Sequence, residues 1–274
     1  METLLPKTAK LNNNIQMPFI GLGVYDMYQD QAERAVESAL EIGYRLIDTA
    51  SMYQNEKEIG NALRRSSVKR EEIFITTKLN NTDHGFDQAL KAFDLSLQKL
   101  QLDYIDLYLI HWPIKSGRKE SWRAIEKLYA EKRVRAIGVA NYTVPFLQEL
   151  KTYASIIPAV NQIEFTPWLY QKDVLDLCKE QGTQLQSYSP LTRGIKFNDP
   201  RLIELCNKYQ RSPAQIILNW NIQLGVSSIP KSVKVERLQE NFDATNFDLE
   251  SDDVLLMNSF SEGFRICDDP IQFL

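Results

Sequence analysis

The sequence predicts an α/β protein: a (β/α)8 TIM barrel with an N-terminal β-hairpin and a C-terminal extra helix and tail. Three observations predict it. Apolar strand-like runs alternate with helix-length segments of 3.6-residue periodicity from residue 19 to residue 242. No Gly/Ser-rich linker divides them, so residues 1–274 are expected to form one domain. The strand-like runs end, one after another, in polar residues that a core strand has no packing reason to carry. A doubly wound open sheet is the alternative arrangement of the same elements.

In chain order, Asn12-Asn13-Asn14 between Leu11 and Ile15 predicts a hairpin turn, leading into a run at Phe19 to Leu22. Gly21-Leu-Gly23 begins like a dinucleotide-binding fingerprint. The third glycine is missing and no helix signal follows, so a Rossmann motif is set aside. The remaining strand candidates are Arg45 to Ile47, Ile73 to Thr77, Ile105 to Ile110, Val134 to Val139, Ala159 to Ile163, Gln184 to Ser187 and Val226 to Ile229. Helical spacing marks Asp30 to Ile42, Asn55 to Arg65, Phe86 to Leu100, Glu120 to Lys132, Val144 to Tyr153, Gln171 to Gln181 and Pro213 to Leu224. Gly43 and Gly182 stand where helices end, and Ser212 before Pro213 is an N-cap signal. Val233 to Phe242 reads as the helix after the last strand and Glu250 to Phe260 as the extra helix. The tail, Ser261 to Leu274, has no clear periodicity and is expected to cover a surface or a pocket rim.

Composition excludes several classes of function. With 32 Lys and Arg scattered against 36 Asp and Glu, the net charge is -4, and no basic field favours a nucleic acid or an anionic membrane. Three cysteines and two histidines show no metal-ligand spacing, so no metal is expected. The N-terminus lacks the apolar core of a signal peptide, and no apolar run approaches the roughly 20 residues of a membrane span. A soluble cytoplasmic monomer is the expectation.

The polar strand ends are Asp48, Lys78, His111, Asn141, Gln162, Tyr188 and Lys231. Singly, each could cap a helix, snorkel from a rim or satisfy a loop. Together they point to one rim of a barrel, where the C-terminal strand ends converge and active sites of this fold are built. Asp, Lys and His there, with Tyr53 in the loop after Asp48, suit proton transfer to an oxygen that develops negative charge. A phenol of ordinary pKa about 10 needs help to exchange protons near neutrality. Lys78 is expected to stabilise its phenolate, Asp48 to hold Lys78, and His111 to donate to a carbonyl oxygen.

The chain resembles the aldo-keto reductase family from about Lys10 to Asn258. The resemblance is carried by Gly43-Tyr-Arg-Leu-Ile-Asp-Thr-Ala with Tyr53-Gln-Asn-Glu56, by Ile105-Asp-Leu-Tyr-Leu-Ile-His-Trp-Pro113, and by Ile229-Pro-Lys-Ser-Val-Lys-Val-Glu-Arg-Leu-Gln-Glu-Asn241, in the family's order. It implies an NADP(H)-dependent carbonyl reductase acting on small-molecule aldehydes and some ketones, with the catalytic tetrad on Asp48, Tyr53, Lys78 and His111. It further implies that Asn141 and Gln162 hold the nicotinamide carboxamide and that Tyr188 stacks on the ring. Ser189, Pro190 and Leu191 would continue along the cofactor. Lys231, Ser232 and Arg237 suit a 2′-phosphate, with Glu240 and Asn241 near the adenine. Gly23, Val24, Tyr25, Ile229 and Val233 complete the implied cofactor set, and Tyr25, Leu79, His111 and Trp112 the implied substrate set.

Two departures from the family pattern matter. Ala140 replaces the serine common before Asn141, which removes one hydrogen bond to the carboxamide. Leu79 stands where many relatives carry tryptophan, so a less aromatic pocket is expected beside Trp112 and Tyr25. The short segment from Trp112 to Ser121 adds to the expectation of an open pocket. Because fold alone does not fix function, a catalytically weak nucleotide-sensing or structural protein on the same barrel is the alternative.

Overall fold

A computed structural model describes residues 7–273. It opens with an antiparallel hairpin of β1 (Thr8–Lys10) and β2 (Gln16–Pro18), in which Ala9 lies opposite Met17. The asparagine turn forms as expected. Asn14 takes the left-handed conformation (φ 68°) and Leu11 N–H donates to Ile15 O at 2.9 Å. The side chains of Asn12 and Asn13 donate to the backbone carbonyls of Pro158 and Arg135. Met17, wholly out of water, packs with Leu46, Phe74, Leu107, Ala136 and Val160. The hairpin thus plugs the N-terminal end of the barrel with an apolar side chain.

Eight parallel strands follow: β3 (Leu22–Gly23), β4 (Leu46–Asp48), β5 (Phe74–Leu79), β6 (Ile105–Ile110), β7 (Val134–Ala140), β8 (Val160–Glu164), β9 (Gln184–Tyr188) and β10 (Ser227–Ser228). Each pairs with its neighbour in chain order. A parallel bridge between Ile20 and Ser228 joins the first strand to the last, supported by Gly21 N–H to Ser228 O (2.9 Å) and Ser228 N–H to Phe19 O (2.7 Å). The glycines that resemble a nucleotide fingerprint serve this seam. A Cβ on Gly23 would lie 2.6 Å from Ile229 O, and one on Gly21 would lie 2.4 Å from Leu46 Cγ.

The strands are sheathed by α1 (Gln29–Ile42), α2 (Glu56–Arg65), α3 (Phe86–Leu100), α4 (Arg118–Ala130), α5 (Val144–Lys151), α6 (Lys172–Gln181), α7 (Pro200–Tyr209), α8 (Pro213–Gln223) and α9 (Val235–Phe242), with α10 (Ser251–Asn258) as the extra helix. Gly43 (φ 120°) and Gly182 (φ 71°) end α1 and α6. Ser212 and Gln215 cap α8 reciprocally, each side chain bonded to the other's backbone. Helix α7 is additional to the helices expected from apolar periodicity. Its signals are nonetheless present: Asp199 accepts the Arg201 N–H, Pro200 opens the first turn, and Leu202 and Leu205 face inward. The crossover from β9 to β10 therefore carries two helices. The strand limits also differ from those expected: β4, β5, β8 and β9 run on into polar residues at their C-terminal ends, whereas β7 stops at Ala140, just before Asn141.

Candidate active site

Side-chain alternation along β4 and β5 sends Asp48 and Lys78 into the barrel while the flanking residues face the helices. Lys78 is fully buried, its Nζ 2.5 Å from Asp48 Oδ1 and 2.9 Å from the carbonyl oxygen of Thr49. Gln162, arriving on β8, donates from Nε2 to the other carboxylate oxygen of Asp48 at 2.7 Å. Burial pushes the Asp48 pKa up and the Lys78 pKa down, and each charge opposes that push on the other.

Tyr53 closes a short 3₁₀ turn, Ser51–Tyr53, that is pinned from both sides. Ser51 Oγ donates to Lys78 O at 3.0 Å. Asn55, wholly buried, accepts from Thr49 Oγ1 and donates to the carbonyls of Val24 and Met27. So held, the Tyr53 hydroxyl lies 3.4 Å from Lys78 Nζ, and its ring meets Tyr25 and His111 edge-on, with centroids 5.1 and 5.6 Å away. Burial and the Asp48 charge hold the Tyr53 hydroxyl well above the ordinary phenol pKa. In the resting site Tyr53 therefore holds its proton, with Lys78 lying between its hydroxyl and Asp48. The His111 imidazole is kept neutral by burial and by the Lys78 charge, and its Nδ1 has no partner among the described residues.

The C-terminal strand ends surround a cleft of about 1240 Å³. On its floor Asn141, in the left-handed region (φ 66°), donates to His111 O at 2.9 Å and accepts from the Tyr188 hydroxyl at 2.7 Å. Gly23, Tyr25, Asp48, Tyr53, His111, Trp112, Asn141, Gln162 and Tyr188 line the inner end. Ser189, Pro190, Leu191, Ile229, Lys231, Ser232, Arg237, Glu240 and Asn241 line the outer end. Lys231 Nζ reaches across the mouth to Asp26, 3.1 Å from its carbonyl oxygen. Arg237 makes no ion pair among the described residues.

Three predicted residues lie elsewhere. Leu79 follows Lys78, so alternation turns it outward, where it is sealed among core side chains, and Asn81 lines the cleft instead. Val24 is buried in the same core layer, and Val233 is 40% exposed outside the cleft. The tail adds an aromatic that the sequence did not point to, Phe273 against Trp112, ring centroids 5.5 Å apart.

The tail is anchored by residues outside the expected site set. Glu164, at the last position of β8, accepts the N–H groups of Ile266 (2.6 Å) and Cys267 (3.0 Å), and Arg118 donates to Phe273 O at 3.2 Å. Ile266, Cys267 and Phe273 thereby form part of the cleft wall. Glu164 could have been found two residues beyond Gln162, on the same face of the strand. Arg193, also on the wall, stands after the Ser189-Pro190-Leu191 run and gave no signal of its own. No cluster of three or more His, Cys, Asp or Glu side chains able to hold a metal occurs among the described residues. Nor is any helix among them long and apolar enough to cross a membrane.

Fold and site together define a (β/α)8-barrel protein with a tyrosine, lysine, aspartate and histidine gathered at the floor of one rim cleft. The family model for the Aldo/keto reductase family matches residues 20–262, and the chain belongs to that family. It is 46% identical to the glyoxal reductase of Bacillus subtilis (strain 168), with all of both chains covered. Among solved structures it resembles an aldo-keto reductase from a Medee basin deep-sea metagenome library (TM-score 0.92, 43% identity, 95% of this chain and 97% of the other). It also resembles the Bombyx mori aldo-keto reductase in complex with NADP (TM-score 0.89, 35% identity, 97% and 96%).

Proposed function

We propose that the protein is an NADPH-dependent reductase of aldehydes and some ketones, with Tyr53 as the proton donor. The observation that carries this reading is the Tyr53 hydroxyl, 3.4 Å from Lys78 Nζ, in a cleft of about 1240 Å³. The residues present fit that cofactor. Asn141 and Gln162 offer hydrogen bonds to a carboxamide, Tyr188 offers a ring face, and Lys231, Ser232 and Arg237 gather at the far end where a 2′-phosphate would lie. A bound reduced nicotinamide supplies a hydride to the carbonyl carbon.

The chain's own residues do the rest. Neutral His111 donates a hydrogen bond to the carbonyl oxygen and orients it towards Tyr53. Tyr53, held protonated in the resting site, transfers its proton as negative charge builds on that oxygen, and the Lys78 ammonium steadies the phenolate left behind. Asp48 keeps the ammonium charged and in place, and Gln162 and the Thr49 carbonyl fix the pair. Trp112 and Phe273 form the apolar wall against which the substrate's carbon chain rests.

NADPH oxidation with a panel of aromatic and aliphatic aldehydes, including glyoxal, tests the reading. Turnover by the wild-type protein and a loss of about a hundred- to ten-thousandfold in Tyr53→Phe are expected. Absence of turnover in the wild type, or unimpaired turnover in Tyr53→Phe, defeats it.

A further inference from the structure

Beneath the cleft floor, the barrel interior carries polar side chains where an apolar layer would be ordinary. Asp48 and Thr76 are partners across β4 and β5, and Gln162, Gln186 and Ser227 are partners across β8, β9 and β10. All five are buried. The hydroxyls of Thr76 and Ser227 have no hydrogen-bond partner among the described residues, whereas Gln186 is engaged at both ends of its amide.

The directions of those bonds are fixed by a single group. Asp48, ionised against Lys78, can only accept, so Gln162 must turn Nε2 towards it, at 2.7 Å. The same nitrogen lies 2.7 Å from Gln186 Oε1. Gln186 must therefore present its oxygen, which leaves its own Nε2 facing the soft sulfur of Met17, 3.9 Å away in the hairpin plug. Both N–H bonds of Gln162 are consumed below the floor. Its Oε1 has no partner among the described residues, and Gln162 lines the cleft.

We infer that Gln186 is a positioning residue. By accepting the second N–H of Gln162 it locks that amide so that only a carbonyl oxygen faces the cleft, making Gln162 an acceptor for the NH₂ of the nicotinamide carboxamide. Asn141 complements it, because one Nδ2 hydrogen is spent on His111 O and the other is free to meet the carboxamide oxygen. The same lock keeps Gln162 on Asp48, so the cofactor's amide is read by a side chain that also holds the Asp48–Lys78 pair. This deepens the cofactor reading above and rests on it.

Equilibrium binding tests the lock without turnover. Gln186→Leu removes the acceptor and is expected to weaken NADP⁺ about tenfold, the loss of one hydrogen bond. It should leave unchanged the binding of the 3-acetylpyridine analogue, which has no NH₂ to donate. Gln186→Glu, protonated in so buried a place, keeps a carbonyl acceptor and is expected to bind NADP⁺ like the wild type. Equal losses for both dinucleotides in Gln186→Leu, no loss for either, or a Gln186→Glu variant as weak as Gln186→Leu overturns the inference. A second measurement needs neither cofactor nor a Gln186 variant: hydrogen exchange of the Gln162 side-chain amide in the wild type, assigned by its disappearance in Gln162→Leu. Two slowly exchanging protons are expected, and one exchanging at the solvent rate overturns the lock. Wild-type protein that fails to bind NADP⁺ defeats the cofactor reading, while the exchange measurement still decides the role of Gln186.

Discussion

Lys78 Nζ and Asp48 Oδ1 stand 2.5 Å apart in the interior of the barrel, both side chains sealed from water. Neither charge has a second full counter-charge, so removal of one strands the other in a medium of low polarity. Asp48→Asn and Lys78→Met are each expected to lower stability by about 3–5 kcal/mol. The double variant should recover much of that loss. Urea denaturation of the four proteins checks the cycle, and additive losses would show that the pair is not coupled.

With Tyr53 as the proposed proton donor, the pH dependence of reduction should follow its phenol. A proton donor acts while it holds its proton, so activity is present below its pKa and lost as pH rises through it. Burial and the Asp48 charge place that pKa well above 10.0. The kcat for carbonyl reduction is therefore expected to stay level from about pH 6 to about pH 9. A titration centred near neutrality in the kcat profile would contradict a proton-loaded Tyr53.

Arg237 reaches the far end of the cleft without an ion pair among the described residues, whereas Lys231 is engaged with Asp26. Its guanidinium is free to take a phosphate in a charge-assisted bond. Arg237→Ala is expected to weaken NADPH by about 10- to 100-fold and NADH by little, as read by fluorescence titration of the folded protein. Equal weakening of both dinucleotides removes Arg237 from a 2′-phosphate site.

Stability should fall in acid through a residue outside the cleft lining. Burial lowers the pKa of His84 from 6.5 to about 4. Between those values the unfolded chain binds a proton that the folded chain does not, so stability is complete above about pH 6.5 and declines as pH drops towards 4. The contribution is at most roughly 3 kcal/mol, less with solvent screening. His84→Gln is expected to flatten the fall in Tm across this window, and an unchanged slope would assign the acid limb to the carboxylates.

Glu164 ties the tail to β8 through the N–H groups of Ile266 and Cys267. Glu164→Leu is expected to speed amide exchange at these two residues and raise KM for the carbonyl substrate several-fold, with NADPH affinity changed less. Unaltered exchange there would mean that Arg118 and Phe273 alone hold the strap.

By itself the sequence determined the order of strands and helices, because apolar period and capping residues are local. Asp48, Lys78 and His111 were legible for the same reason: each ends an apolar run, and the C-terminal ends of a parallel barrel share one rim. Helix α7 is marked just as locally, by Asp199 before Pro200. What only the tertiary structure decided is which face a side chain takes and what it meets. Alternation turns Lys78 inward and Leu79 outward, a distinction that a one-residue change of register reverses. Closure of the barrel brings Gln162 onto Asp48, 114 positions earlier in the chain, and the tail onto Glu164, about 100 positions away from it. No local pattern encodes such contacts, since they exist only once eight strands have paired and the seam between Ile20 and Ser228 has shut.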